Sequence, residues 1–363
     1  MSDGAPAGAI ALGLGEPTWP MHGVAVQALA ATHGVCSYGP QGGRPELIEA
    51  IASYHGARAE QILVTVGAQE AMNTVAQSYL GPGDAALVPD PGFVGYRGVV
   101  QLAGAEAVAY PLDASQGFDL CADRLIEVLD RTPNARVVFL CSPSNPTGGG
   151  ASLRALKAVA RACEKRDVLV VSDEVYRELH LGPRPASLRD ATDSGLVLQS
   201  MSKGFAAPGL RVGWVFGEPE RIAPLRISHG YGVTTAATPA QLAAAALLEN
   251  ASEVLAASQG EVRVRFEALR EAAGEFLGSE LTLPAGGFYH FLPLPEAAHG
   301  DPFAWCLQLR DKAGVVLVPG LAFGEAGRGH ARLSFAAPPD SVREGVKRFA
   351  GFCASPSSGT ART

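Results

Sequence analysis

The stretch Leu198-Gln-Ser200-Met-Ser202-Lys203-Gly-Phe-Ala-Ala-Pro-Gly-Leu-Arg211-Val-Gly-Trp214 decides how this chain is read. It leaves one apolar strand candidate, 197–200, and enters another, 212–216, through a turn built of Gly and Pro. A lone lysine is ordinarily a solvated surface charge. Lys203 instead stands among glycine, proline and apolar residues, where desolvation lowers the pKa of an amine and readies it to form a Schiff base. Ser200 and Arg211 flank it, and both side chains can reach a phosphate, Arg211 with a forked donor.

Outward from this stretch, apolar runs at 62–66, 85–89, 136–141 and 168–172 repeat the same style. They are rich in Val and Leu without polar alternation, as strands buried on both faces are. Helical periodicity fills 68–80, 122–129 and 152–165 between them. That alternation predicts an α/β fold with a mostly parallel sheet flanked by helices. After Pro239 the pattern changes to helices at 240–249, 252–277 and 302–313 and two strands at 287–292 and 331–335. These predict a second, smaller α/β domain.

Composition excludes whole classes of function. The 363 residues carry 29 basic and 36 acidic side chains, a net charge of −7, so no basic surface is expected for nucleic acid or anionic lipid. With 47% hydrophobic and 18% charged residues the chain can bury a large core and is not disordered. No apolar run reaches the ~18 residues of a membrane span. The opening Met1–Pro17 segment lacks the positive region of a secretory signal, so a cytoplasmic protein is expected. Cys36, Cys121, Cys141, Cys163, Cys306 and Cys353 are scattered without a CxxC pair and read as reduced, buried thiols. The 8 histidines show no metal spacing, and no metal site is expected. The 43 glycines and 26 prolines imply many tight turns. The last residues, 355–363, read as a disordered tail.

In open parallel sheets ligands bind beyond the carboxyl ends of the strands. Those ends hold Gly67-Ala68-Gln69, Phe93, Asn145, Asp173 with Tyr176, and Ser200 with Lys203. This is an inventory for a flat, phosphorylated heteroaromatic. The 62–71 segment runs from strand through Gly67 into helix, which is either an ordinary turn or a phosphate-binding helix start. Asn145 in Ser142-Pro-Ser-Asn-Pro-Thr-Gly148 is either turn chemistry or an amide held to donate to a ring oxygen. Asp173 in Asp173-Glu-Val-Tyr176 is either a helix cap or a carboxylate paired with a pyridinium nitrogen.

Taken together, SxSKxxxxPGLRxGW (200–214), SPSNPTG (142–148) and DEVY (173–176), in this order and spacing, resemble the class I/II pyridoxal-phosphate-dependent aminotransferases of fold type I. The resemblance runs from Gly15-Glu-Pro17 to Arg332-Leu-Ser-Phe335. It implies a large cofactor domain with a mostly parallel seven-stranded sheet at 30–240, and a small α/β domain from 1–29 and 241–354. It further implies that Lys203 holds pyridoxal 5′-phosphate as an aldimine and moves a proton, and that Asp173 pairs with the ring nitrogen. Asn145 and Tyr176 would hold the ring oxygen, and Phe93 would stack on the ring. Gly67, Ala68, Gln69, Ser200, Ser202 and Arg211 would bind the cofactor around its phosphate. Gly15, Asn145 and Arg332 would bind the substrate carboxylate. Tyr38 resembles the family's tyrosine that crosses a homodimer interface to a phosphate.

The implied reaction moves the amino group of an α-amino acid to a 2-oxo acid. Lyase, cyclising or replacement chemistry on the same fold uses the same cofactor residues. Trp19, Tyr231, Thr234, Thr235 and Tyr289 are candidates for the side-chain pocket, and Arg226 or Arg328 for meeting an acidic substrate. Only 14 residues precede Gly15, fewer than in most members of the family, which leaves pocket closure open. The phosphate turn reads Gly-Ala-Gln without the usual hydroxyl residue, which shifts load to the backbone amides and Arg211.

Overall fold

The structure, a computed structural model, describes residues 4–35 and 37–355. Cys36, and the expected tail from residue 356 on, lie outside the described residues. In chain order the backbone forms β1 (Ile10–Ala11), α1 (Gly23–Ala30), α2 (Pro45–His55), β2 (Ile62–Thr65), α3 (Gly67–Tyr79), β3 (Ala85–Asp90), α4 (Val94–Leu102) and β4 (Glu106–Pro111). Next come α5 (Ala122–Asp130), β5 (Ala135–Cys141), α6 (Leu153–Glu164), β6 (Leu169–Asp173), β7 (Leu196–Ser200), β8 (Gly213–Phe216) and α7 (Pro219–Gly232). The remainder holds α8 (Thr238–Glu249), α9 (Ala251–Leu277), β9 (Tyr289–Pro293), α10 (Pro302–Ala313), β10 (Val315–Val316), β11 (Val318–Pro319), β12 (His330–Ser334) and α11 (Pro339–Ala354).

Seven strands make one sheet in the order β2-β8-β7-β6-β5-β3-β4, parallel except for β8, which runs against both of its neighbours. The absence of polar alternation has its expected cause. Along β5, Val137 and Phe139 pack toward α3 and α4 on one face, and Val138 and Leu140 toward α5 and α6 on the other. Along β2, Ile62 and Val64 meet α2 and α8 while Leu63 faces the opposite layer. The strand missing from the sequence reading is β4. It lies at the sheet edge, paired only with β3, and five of its six residues are exposed or half-buried, so no apolar run marks it.

Register places the site. Cys141 pairs with Asp173, and Asp173 with Leu198, so the carboxyl ends of β5, β6 and β7 stop at one level. Gly213 of β8 pairs with both Ser200 and Thr65, which brings the end of β7 beside the β2–α3 turn. Only glycine fits there: a Cβ on Gly213 would stand 2.8 Å from the Gly67 carbonyl carbon and 2.9 Å from the Ala68 nitrogen.

A second core contains Leu12, Trp19, Phe266, Phe288, Trp305, Leu333 and Phe349, closed by a β11-β12-β9 antiparallel sheet and the parallel β1–β10 pair. Two packings bear on where the bodies divide. Ala25 of α1 lies in the core with Ile62 and Trp214. Helix α9 belongs to that core through Val254 and Leu255 and to the C-terminal core from Val262 onward. We propose a boundary between Trp19 and α1, in place of residue 29, and a second inside α9, in place of residue 240. The reason is that a helix long enough to span both cores joins them continuously. Among the described residues no helix is long and apolar enough to cross a membrane. None of the described groups of His, Cys, Asp and Glu could hold a metal. The expectation that the cysteines are buried is corrected for Cys121, Cys141 and Cys353, which are half-buried at helix and strand ends.

Candidate active site

Where β2, β5, β6, β7 and the second core converge there is a cavity of about 400 Å³. Its walls include Gly15, Ala68, Gln69, Phe93, Asn145, Asp173, Tyr176, Ser200, Ser202, Lys203, Arg211 and Arg332, all expected from the sequence.

Lys203 follows β7 and is mostly buried. Its Nζ donates to the Gly15 carbonyl and lies 5.6 Å from the Tyr176 ring centre and 5.8 Å from that of Phe288. Burial first, and then repulsion from Arg332, pull the amine down to about 8. Asp173, at the end of β6, is 5% exposed. Its Oδ2 accepts from Tyr96 Oη at 2.7 Å and its Oδ1 from the Val175 amide at 3.2 Å. Burial raises this carboxyl, and the Tyr96 hydroxyl, the Val175 amide and the more distant charge of Lys203 only partly offset that. A buried carboxylate costs several kcal/mol unless a cation meets it. The geometry therefore calls for a positive partner in the cavity.

Arg332 on β12 is 8% exposed. One Nη donates to Asn145 Oδ1 and the other to the Gly13 carbonyl, both at 2.8 Å, while its Nε has no partner. The guanidinium is sandwiched 4.6 Å from the Tyr289 ring centre and 4.9 Å from that of Phe323. This presents a rigid fork with spare donors, suited to a carboxylate. The Asn145 carbonyl oxygen is thereby engaged and its amide nitrogen left to donate elsewhere. Tyr176 shares a 3.0 Å hydroxyl contact with Tyr289, and burial pushes its phenol well up.

At the other end, α3 begins at Gly67 with no side chain capping it, so the amides of Gly67, Ala68 and Gln69 start the helix without intrahelical acceptors. Gly67 has φ +78°, and a Cβ there would stand 2.7 Å from an Arg211 Nη. Arg211 itself is left-handed, at φ 53°, which turns its side chain back over the helix start. The Ser202 amide donates to Ser200 Oγ at 3.1 Å, adding hydroxyls to this corner. Amides, a guanidinium and hydroxyls converging on a helix N-terminus form an anion cradle.

Other expectations are corrected. Trp19 does not line the cavity; it is in the core, edge-on to Phe288, with its Nε1 donating to Ser258 Oγ at 3.2 Å. Tyr231, Thr234 and Thr235 lie away from this chain's cavity, and of the five pocket candidates Tyr289 alone lines it. Arg226 is spent on the Ile62 carbonyl at 2.8 Å and Arg328 on Glu325, so neither faces the cavity. Tyr38 is 89% exposed and outside the cavity walls. The sequence reading missed the role of Tyr96, one helical turn after Phe93 on α4; that spacing is the signal that could have found it.

A buried amine, a buried carboxylate, an anion cradle and an arginine fork thus meet where the carboxyl ends of the seven-stranded sheet face the second core. The chain matches the family model for aminotransferase class I and II over residues 8–349, and it belongs to that family. It is 32% identical to an arginine–pyruvate transaminase of Pseudomonas aeruginosa, covering 93% of this chain and 88% of the relative. It is also 32% identical to an aspartate/prephenate aminotransferase of Thermus thermophilus, over 94% of this chain and 90% of the other. The solved structure of N-succinyldiaminopimelate aminotransferase from Mycobacterium tuberculosis superposes with a TM-score of 0.88 at 30% identity, covering 95% of this chain and 93% of that one. The protein is an aminotransferase with the α/β architecture of fold type I.

Proposed function

We propose that this aminotransferase uses pyridoxal 5′-phosphate, held in the cavity around Lys203, to move the amino group of an α-amino acid to a 2-oxo acid. The observation that carries this is the amine of Lys203, lowered by burial, in one cavity with a buried carboxylate, Asp173, and a buried arginine, Arg332, neither of which forms an ion pair among the described residues.

The residues fit the cofactor. Gly67 leaves the space that the Arg211 guanidinium occupies, and the amides of Gly67–Gln69 with Ser200, Ser202 and Arg211 would hold its phosphate. Asp173, fixed by Tyr96, would hold the ring nitrogen; Asn145 and Tyr176 would hold the ring oxygen, and Phe93 would cover a face. When bound, pyridoxal phosphate supplies an aldehyde for amines and a ring that withdraws electrons. The chain does the rest. Arg332 and Asn145 fix the substrate carboxylate so that the Cα–H bond is aimed in one direction, which selects proton removal over loss of the carboxylate. Lys203 Nζ takes the proton from Cα and returns it one position away, as general base and then acid. The Gly15 carbonyl accepts a hydrogen bond from that amine in the free site.

A homodimer is part of the proposal. Tyr38 and Tyr231 are 89% and 93% exposed and Ile227 is 66% exposed. Thr238 Oγ1 donates to the Ser37 carbonyl and Thr235 Oγ1 to that of Pro40, which ties the Tyr38 segment to the one after α7. Such an aromatic patch supports an interface through which Tyr38 reaches a second copy's phosphate cradle. The unpaired thiols support a reducing, cytoplasmic setting.

The test is to load the protein with pyridoxal phosphate, add amino acids singly, and follow absorbance and product. Stoichiometric 2-oxo acid with persistent loss of the loaded enzyme's absorbance is expected, from a species sedimenting at the mass of two chains. Ammonia release with the absorbance restored would assign lyase chemistry instead, and a protein that takes up no pyridoxal phosphate would end the proposal. Gly67→Ala is a sharper probe of the cradle. An L-residue at this φ costs about 1–2 kcal/mol and its Cβ displaces Arg211, so the dissociation constant for pyridoxal phosphate should rise about tenfold. An unchanged constant in equilibrium dialysis would remove the phosphate from this turn.

A further inference from the structure

Asp90 is the last residue of β3 and does not line the cavity around Lys203. Its Oδ1 accepts from the Ala326 amide at 3.1 Å, and two residues on the Gly92 amide donates to the Phe323 carbonyl at 2.9 Å. A carboxylate and an amide at the end of a sheet strand thus grip residues 323–326, the segment that leads into β12 and Arg332.

The gripped segment is compact. Gly320 and Gly327 lie backbone against backbone, with no room for a Cβ on either. Gly324 has φ +134°, and a Cβ there would overlap the Asp90 carboxylate, so that carboxylate packs directly against the turn. Burial raises the Asp90 carboxyl, and the Ala326 amide is the strongest influence opposing that, ahead of the charge of Arg97 and the Glu325 amide. A second cavity, of about 380 Å³, borders Asp90, Phe93, Phe323 and Glu325, so side-chain packing alone does not pin the segment.

What the segment carries is one face of the carboxylate fork. Phe323 is buried, with its ring centre 4.9 Å from the Arg332 guanidinium; Tyr289 covers the guanidinium at 4.6 Å. Tyr289 is held through its hydroxyl by Tyr176 at 3.0 Å. The Phe323 side chain has no polar atom to hold it. Its place is set by the backbone ties to Gly92 and Asp90 and by Phe291, edge-on at 6.5 Å.

We propose that Asp90 is a positioning residue of the reaction: by holding the Ala326 amide it keeps Phe323 stacked on Arg332 and the guanidinium aimed at the substrate carboxylate. This rests on the reading of Arg332 as the carboxylate fork. Misplacing a positioning group by about 1 Å costs up to about 100-fold. The Nη bonds to Asn145 and Gly13 survive loss of the Phe323 face, so the expected cost is smaller, about five- to tenfold.

The test uses the cofactor-loaded enzyme and calorimetric binding of hexanoate against hexanamide, a pair that differs in the charge Arg332 meets. Wild type should prefer hexanoate, and Arg332→Gln should lose that preference. Asp90→Ala should weaken hexanoate about five- to tenfold and leave the affinities for hexanamide and pyridoxal phosphate unchanged. Ala326→Pro removes the donor instead of the acceptor and should repeat that loss. Asp90→Asn keeps an acceptor for the amide and should stay within about twofold of wild type. Phe323→Leu should weaken hexanoate by a similar factor to Asp90→Ala, and combining the two should cost less than about twofold more, because both act through one ring. With a reacting amino acid, Asp90→Ala should raise KM further than it lowers kcat. If wild type shows no preference for hexanoate, or Arg332→Gln keeps it, the fork reading fails and takes this proposal with it. If Arg332→Gln loses the preference while Asp90→Ala keeps wild-type affinity, the fork stands and the role of Asp90 is overturned. Effects of Asp90→Ala and Phe323→Leu that multiply, or an Asp90→Asn as weak as Asp90→Ala, overturn it equally.

Discussion

Lys203→Ala is expected to lower turnover by at least about 10⁴-fold, the upper range for a positioned acid–base group that here also serves as nucleophile. The loaded variant should lose the absorbance that depends on a covalent link while keeping its thermal unfolding temperature within a few degrees. Stability is spared because the amine's own bond is a single one, to Gly15, and removing a desolvated amine from the cavity removes a burial cost. The same residue makes a pH prediction in cofactor-free protein. Its amine is lowered to about 8 because burial disfavours the charged form. Only the neutral amine attacks an aldehyde, so covalent capture of pyridoxal phosphate should accelerate from pH 6 upward and level off above about 8. Relative to an exposed lysine, two to three powers of ten more neutral amine is present at pH 7. A capture rate still climbing at pH 10 would place Lys203 in solvent and contradict the site geometry.

Arg332→Gln carries the second large effect. The guanidinium is buried and stacked between Tyr289 and Phe323, with one Nη on Asn145 and the other on Gly13. Truncating a buried, hydrogen-bonded charge that meets an opposite charge costs about 2–5 kcal/mol. The expected fall in kcat/KM is about 10²- to 10³-fold, with the loaded enzyme's resting absorbance retained, because the role proposed for Arg332 is toward the substrate carboxylate. Part of the loss should appear in kcat, since Asn145 is released from its 2.8 Å bond and the carboxylate is no longer aimed. Arg332→Lys keeps the charge without the fork and should recover only a fraction. A variant that binds amino acids as tightly as wild type would move the carboxylate site elsewhere.

Of these two residues, Lys203 was marked by its own neighbours in the sequence, whereas Arg332 was singled out only through the family resemblance. Lys203 stood out because glycine and proline surround it, and Asp173 because a carboxylate ended an apolar strand. The seven-stranded sheet was legible for a related reason: the middle of a strand such as β5, Val137–Leu140, is buried on both faces and holds no polar residue. Edge strand β4 carries no such constraint, and its sequence stayed silent. Trp19 misled because an aromatic beside a glycine-rich motif looks equally suited to a pocket or a core. It is the core, through Phe288 and Ser258, that holds it.

What the sequence determined by itself was the chemistry: an amine, a carboxylate, an amide, a forked cation and a helix start, each announced by local turn residues that physical chemistry restricts. What the tertiary structure alone decided was which groups meet. Pairing Gly213 with Ser200 and Thr65 brings Arg211 over Gly67, and a hydroxyl on α4 secures Asp173. Gly15 and Arg332, 317 positions apart, close the same cavity wall. Contacts between distant segments depend on strand register and on how two cores dock, and neither leaves a mark in local composition.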